Sequence, residues 1–269
     1  MFESYLVNKA MYDHVINEVD PVMFAKSIPN IFTIGNLFLG ILSIILVFNG
    51  EAGRGALLVL IAMMLDGLDG RVARALNVQS EFGKELDSLS DVISFGVAPA
   101  FIMYVIAFSD PTIISSGIAW MITAVFPICG ALRLARFNVI EGTPGYFIGL
   151  PIPAAGGILC TLALFHKDLH PYILVLSTLL LSYLMISKVK YPNFKKTRIP
   201  KLAIWLTPIL LGIAVVIAIR WPESISKMIF IPLLMYSLYG LKKNVNVILT
   251  KLRRVIRKKH LDKAIKTKS

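Results

Sequence analysis

The chain has 269 residues, 56% of them hydrophobic and only 16% charged, with a mean hydropathy of +0.72 and a net charge of +12. A soluble domain carries roughly a quarter charged residues, so this composition excludes an ordinary soluble fold. It points to helices that cross a bilayer at about 20 residues each. The apolar runs are continuous, without the period-two alternation of a membrane β-barrel. The two cysteines, Cys129 and Cys160, both fall in apolar runs, which excludes a disulfide framework or a thiol metal site.

Taken in order, residues 1–20 space Phe2, Tyr5, Leu6, Tyr12, Val15, Ile16 and Val19 at helical intervals among charges. This predicts an interfacial amphipathic helix that ends at Asp20-Pro21. Glu3, Asp13, Glu18 and Asp20 leave no pattern of a cleavable signal. Eight spans are expected next, at 31–49, 55–77, 85–108, 112–134, 151–166, 171–187, 202–219 and 225–240, giving an all-α polytopic transmembrane bundle. Its organisation reads as a juxtamembrane segment (1–24), a six-span core (25–190), two additional spans (191–241) and a basic tail (242–269). That tail holds eleven Lys/Arg against Asp262 alone; it fits anionic lipid at a cytoplasmic surface better than nucleic acid.

Lys and Arg also set the expected orientation. Arg71, Arg74 and Lys84 follow span 2, Arg133 and Arg136 follow span 4, and six more lie between Lys188 and Lys201. The alternate loops hold only Arg54, Lys167 and Arg220. Both termini are therefore expected in the cytoplasm of a cell-membrane protein. The "HKDLH" run at His166–His170 falls on the other side and reads as a solvated loop rather than a zinc site.

The charges that matter most sit at the cytoplasmic ends of spans 2 and 3. Asp66 and Asp69 are three apart and Asp87 and Asp91 four apart, so each pair shares a helix face. Four neighbouring carboxylates repel one another and need cations. Oxygen ligands at this density suit Mg²⁺, Mn²⁺ or Ca²⁺ rather than zinc. Gly67 and Gly70 flank Asp69, Ala73 lies one turn beyond Gly70, and Arg74 adds a fork for phosphate oxygens. Helix-interior glycine costs about 1 kcal/mol against alanine, so a bulky group approaching the backbone is the expected reason for the pair. Intramembrane acids can also mark an ion transporter, but a transport path predicts acids spread through the depth of several spans.

The string Asp66-x-x-Asp69-Gly70-x-x-Ala73-Arg74, eight residues, then Gly83-x-x-x-Asp87-x-x-x-Asp91 resembles the signature of the CDP-alcohol phosphatidyltransferases at all eight fixed positions. The resemblance implies a homodimer in which Asp66, Asp69, Asp87 and Asp91 bind two divalent cations, Mg²⁺ or Mn²⁺, with Ca²⁺ as a non-physiological occupant. It implies that Asp91 deprotonates the incoming alcohol, and that Gly70, Ala73 and Arg74 lie along the CDP group; Gly67 and Gly83 are further candidates to line the CDP-lipid. Two more stretches, "IPNIFTIGNLFLG" from Ile28 and "GALRLARFNVIEGTPGYFIGLPIPAAGG" from Gly130, are similar to the membrane-embedded (type II) phosphatidylserine synthases. That resemblance implies CDP-diacylglycerol and L-serine as substrates. Thr33 and Asn36, three apart on span 1, can reach cytidine or tie helices together. Arg133 and Arg136, also three apart, can hold the serine carboxylate, yet they would equally suit a sibling enzyme using glycerol 3-phosphate or an inositol compound. An archaeal host would imply an ether-lipid version.

Overall fold

The computed structural model of the protein describes residues 21–140 and 146–192, with Met235 and Ser237 beyond them. The amphipathic segment expected over 1–20, nearly all of the spans expected at 202–219 and 225–240, and the basic tail lie outside the described residues. The described chain is mostly helical.

Helix α1 (Pro21–Phe48) shows why the bundle is a membrane structure. Its buried seam is Pro29, Thr33, Asn36, Gly40, Ser43 and Val47, whereas Ile31, Ile34, Phe38, Ile41, Ile45 and Phe48 are exposed. Small and polar residues face the protein and large apolar ones face outward. This inverts a soluble helix, because lipid offers no hydrophobic drive to bury isoleucine while small residues let backbones approach. Helix α2 (Ala52–Leu76) returns antiparallel, joined by a turn through Gly50 at φ +79°. Gly55 packs on the Ser43 carbonyl, and the Ser43 hydroxyl donates to the Gly55 carbonyl at 2.8 Å.

Helix α2 ends at Asn77 in the left-handed conformation, φ 60°, whose N–H reaches back to Ala73 and Arg74 carbonyls. Ser80 caps α3 (Glu81–Asp91) by accepting the Gly83 N–H at 3.0 Å. A π-helical turn (Val92–Val97), α4 (Ala98–Met103) and a second π turn (Tyr104–Phe108) extend α3 into one rod. The Ser90 hydroxyl donates to the Thr33 carbonyl and that of Ser94 to the Asn36 carbonyl, at 3.1 and 3.0 Å, fixing the rod against α1.

The remaining helices are α5 (Ser116–Val139), α6 (Ile152–Leu164) and α7 (Pro171–Ile186). α5 starts and ends later than the expected 112–134, so Arg133 and Arg136 lie inside a helix rather than in a loop. Continuous hydropathy marks only where lipid would begin and cannot see that the helix continues beyond it. α6 has 13 residues, about 20 Å at 1.5 Å per residue, shorter than the span expected at 151–166. It is the bundle's central helix, with buried residues on all sides from Ile152 to Ala163. Ser27–Phe48, Glu81–Phe108 and Ser116–Val139 are long and apolar enough to cross a membrane.

Among the described residues, one feature departs from an all-helical chain. β1 (Tyr146–Ile148) and β2 (Lys190–Pro192) pair antiparallel, with Phe147 opposite Tyr191. Three-residue strands carry too little alternation to be legible in sequence. Tyr191 is wholly buried; burial pushes its phenol up to about 12, so it stays protonated and hydrogen-bonds Ser237.

Candidate active site

The antiparallel α1–α2 pair and the capped start of α3 bring the four nominated acids together at one end of the bundle. Carboxylate oxygens of Asp66, Asp69 and Asp87 lie within 4.8 Å of one another. Asp91, one turn further along α3, is buried; it meets Asp66 within hydrogen-bonding reach and lies close enough to Asp87 and Arg133 for their charges to act on it. Its Oδ1 has no hydrogen-bond partner among the described residues. The Thr33 hydroxyl donates to Asp69 Oδ2 at 3.0 Å, and the Gly70 N–H donates to Asp69 Oδ1. Asp69 is thereby fixed by two donors, while the cluster as a whole is an excess of hard anionic oxygens. An oxygen donor set of this kind, with an orphaned buried carboxylate oxygen beside it, fits a hard divalent cation.

A cavity of about 570 Å³ opens over this cluster. Its walls are Pro29, Asn30 and Thr33 from α1, Asp69, Gly70, Ala73 and Arg74 from α2, the segment Gln79–Glu81 with Gly83 and Lys84, Asp87, and Phe137 from α5. Gly70 lies directly beneath the Arg74 guanidinium: a Cβ there would lie 3.4 Å from Arg74 Nη1, in van der Waals contact with it. A Cβ on Gly83 would come within 3.1 Å of both Asn30 Oδ1 and Ser80 Oγ, crowding the helix cap. Phosphate-sized room, a guanidinium and neighbouring carboxylates thus share one wall.

The sequence-nominated residues divide on this geometry. Thr33, Gly70, Ala73, Arg74 and Gly83 line the cavity. Gly67 does not; it is exposed, and a Cβ there would meet nothing within 4 Å. Asn36 is fully buried and outside the cavity wall, with neither amide atom hydrogen-bonded among the described residues, a state that costs about 1–3 kcal/mol per group.

Arg133 and Arg136 do not act as a pair. Arg133 is buried beside Asp91, its guanidinium carbon 6.0 Å from the Phe137 ring centroid. Arg136 donates to the carbonyls of Ile186 at 2.8 Å, Ile148 at 3.2 Å, Ser187 at 3.3 Å and Met185 at 3.4 Å. It closes the C-terminus of α7, where helix carbonyls lack intrahelical donors and attract cations. A three-residue offset turns side chains by about 60°, enough to place these two against different neighbours.

Several residues of the site carried no sequence signal strong enough to nominate them. Asn30, Gln79, Ser80, Lys84 and Phe137 all line the cavity. Ser80-x-x-Gly83 is a helix start that a capping rule would find. Phe137 comes from a helix distant in sequence and needed the tertiary fold.

Fold and site together define a helical membrane protein with a cluster of carboxylates, able to hold a divalent cation, beneath a polar cavity. The CDP-alcohol phosphatidyltransferase family profile matches residues 26–221, and the chain belongs to that family. It is 42% identical over 178 residues to a CDP-diacylglycerol–serine O-phosphatidyltransferase of Helicobacter pylori, covering 63% of this chain and 73% of that protein. The same-named protein of Bacillus subtilis is 41% identical over 169 residues, covering 63% of this chain and 92% of that protein. That of Methanocaldococcus jannaschii is 36% identical over 220 residues, covering 81% and 94%. The chain is thus an integral membrane transferase of a family that works with divalent metals.

Proposed function

We propose that the protein transfers the phosphatidyl group of CDP-diacylglycerol to the hydroxyl of L-serine, yielding phosphatidylserine and CMP. The observation that carries this reading is the convergence of Asp66, Asp69 and Asp87 beneath a cavity walled by Gly70 and Arg74. The serine half is supported by the relatives' names and by Arg133 beside Asp91.

Asp66, Asp69, Asp87 and Asp91 would hold two divalent cations, Mg²⁺ or Mn²⁺. When bound, these supply charge neutralisation at the phosphoryl oxygens. Thr33 and the Gly70 N–H keep Asp69 in one orientation. Arg74 grips the pyrophosphate, for which Gly70, Ala73 and Gly83 leave room. Asp91 accepts the serine hydroxyl proton as the new P–O bond forms and the bond to CMP breaks. Arg133 holds the serine carboxylate, a task Arg136 cannot share while it serves four carbonyls.

The reading extends to eight spans in a cell-membrane homodimer, with the N-terminal amphipathic helix, both termini and the active site at the cytoplasmic surface. The 25–190 core does the chemistry, and the basic tail lies on anionic lipid. Purified full-length protein given CDP-diacylglycerol, Mg²⁺ or Mn²⁺ and a panel of alcohols should release CMP preferentially with serine, and lose activity on chelation. Preference for another alcohol would overturn the acceptor assignment, and turnover in chelator the cation assignment.

A further inference from the structure

Serine is a zwitterion. A site that reads it needs an anion for the ammonium as well as a cation for the carboxylate. In the proposed reaction the four aspartates are matched by divalent cations, so none of them is left for the ammonium. The contact between α3 and α5 offers another group.

Glu85, Ser88 and Asp91 are spaced i, i+3, i+6 on α3, a row that runs obliquely along one helix surface. α5 meets both ends of this row. At the inner end Arg133 lies beside Asp91. At the outer end Asn138 Nδ2 donates to Ser88 Oγ at 3.0 Å and to both Glu85 carboxylate oxygens at 3.3 Å. Glu85 is exposed, and among the described residues it has no Lys or Arg within 4.0 Å; the nearby Lys84 pairs instead with Glu81 at 3.9 Å. Across this contact the charge is therefore positive at the inner end and negative at the outer end, with a hydroxyl between. Glu85 and Asp91 stand about 9 Å apart along the axis at 1.5 Å per residue, a span that an amino acid bridges with its hydroxyl at Asp91 and its ammonium at Glu85, each through a hydrogen bond of about 2.8 Å.

We infer that Glu85, held by Asn138 beside Ser88, is the specificity residue that accepts the ammonium group of the acceptor. This rests on the proposed serine reaction. It also gives that reaction a physical filter, since the glycerol-phosphate and inositol-phosphate acceptors of sibling enzymes bring only negative charge to a carboxylate.

The test is steady-state kinetics on the full-length enzyme in detergent with CDP-diacylglycerol and Mn²⁺ or Mg²⁺. Glu85→Gln removes the charge but keeps an oxygen for Asn138, and the exposed position leaves packing intact. The serine KM should rise about tenfold, the scale of a lost charge-assisted hydrogen bond, with kcat and the CDP-diacylglycerol KM within about twofold. The analogue 3-hydroxypropionate keeps the hydroxyl and carboxylate but lacks the amino group, so its apparent affinity should not move. Glu85→Asp should recover part of the serine affinity. An unchanged serine KM, or serine and 3-hydroxypropionate shifting alike, would overturn this inference while leaving the serine reaction in place. A wild-type enzyme that prefers glycerol 3-phosphate would overturn the acceptor assignment and this inference with it.

Discussion

The two halves of the bundle are joined by the same device and put it to opposite uses. In the α1–α2–α3 half, small residues let helices approach, and the hydroxyls of Ser43, Ser90 and Ser94 donate across to backbone carbonyls. Polar side chains are left over, and these are the carboxylates of the site. In the α5–α6–α7 half, small residues also permit close contact, but against apolar groups and backbone. Gly130 sits against Ile152, and Gly156 faces the Phe95 carbonyl of the rod. The strongest polar group there, Arg136, is spent on the ends of backbone segments. The first half turns its charge toward a cavity; the second turns its charge onto its own backbone and is a scaffold. Arg133 is the point at which the scaffold reaches Asp91.

Asp91→Asn breaks the reactive half most completely. Loss of a general base is worth about 10²–10⁴ in rate, so kcat should fall by roughly 10³-fold while thermal unfolding in detergent stays close to that of the parent. The two arginines test the boundary between the halves. Arg133→Met should raise the serine KM by tenfold or more, on the scale of about 1.5–3 kcal/mol for a bond to a charged group, with little change in the CDP-diacylglycerol KM. Arg136→Met should leave the ratio of the two KM values unchanged and lower stability by about 1–3 kcal/mol through its orphaned carbonyls. If both variants alter serine affinity alike, the division drawn between them is wrong.

Smaller effects sharpen the picture. Gly156→Ala places a methyl carbon 2.5 Å from the Phe95 carbonyl oxygen. Overpacking of this kind costs about 1–3 kcal/mol; a lowered unfolding temperature with per-molecule activity retained is the expected result. Thr33→Val removes one hydrogen bond to Asp69, worth about 1 kcal/mol. It should weaken activation by Mn²⁺ or Mg²⁺ several-fold, read as a shift in the metal concentration for half-maximal activity, without moving the serine KM.

Much of the site was legible because its information is local. Asp66 with Asp69, and Asp87 with Asp91, fall on shared faces by spacing alone, and helix geometry needs no tertiary knowledge to say so. The glycine and arginine spacing around them marked one wall of the cavity in the same way, and five of the seven residues nominated for the CDP-lipid line it. Gly67 and Asn36 fell outside it because helical spacing leaves open which arc of a face meets a cavity. The span over 85–108 was legible from hydropathy, but its continuation from Glu81 through two π turns was not, since capping and hydrogen-bond register are invisible to an average over apolar residues.

The sequence by itself determined the membrane class, the helical bundle and the acids that converge, because hydropathy and a 3.6-residue period act over one helix at a time. Only the tertiary structure decided the rest. It set Arg133 beside Asp91 and Arg136 against the α7 carbonyls, brought Phe137 to the cavity and Asn138 to Glu85, and paired two three-residue strands across the intervening helices. Those outcomes depend on which helices become neighbours and at what rotation, and the contacts that fix both lie tens of residues apart in the chain.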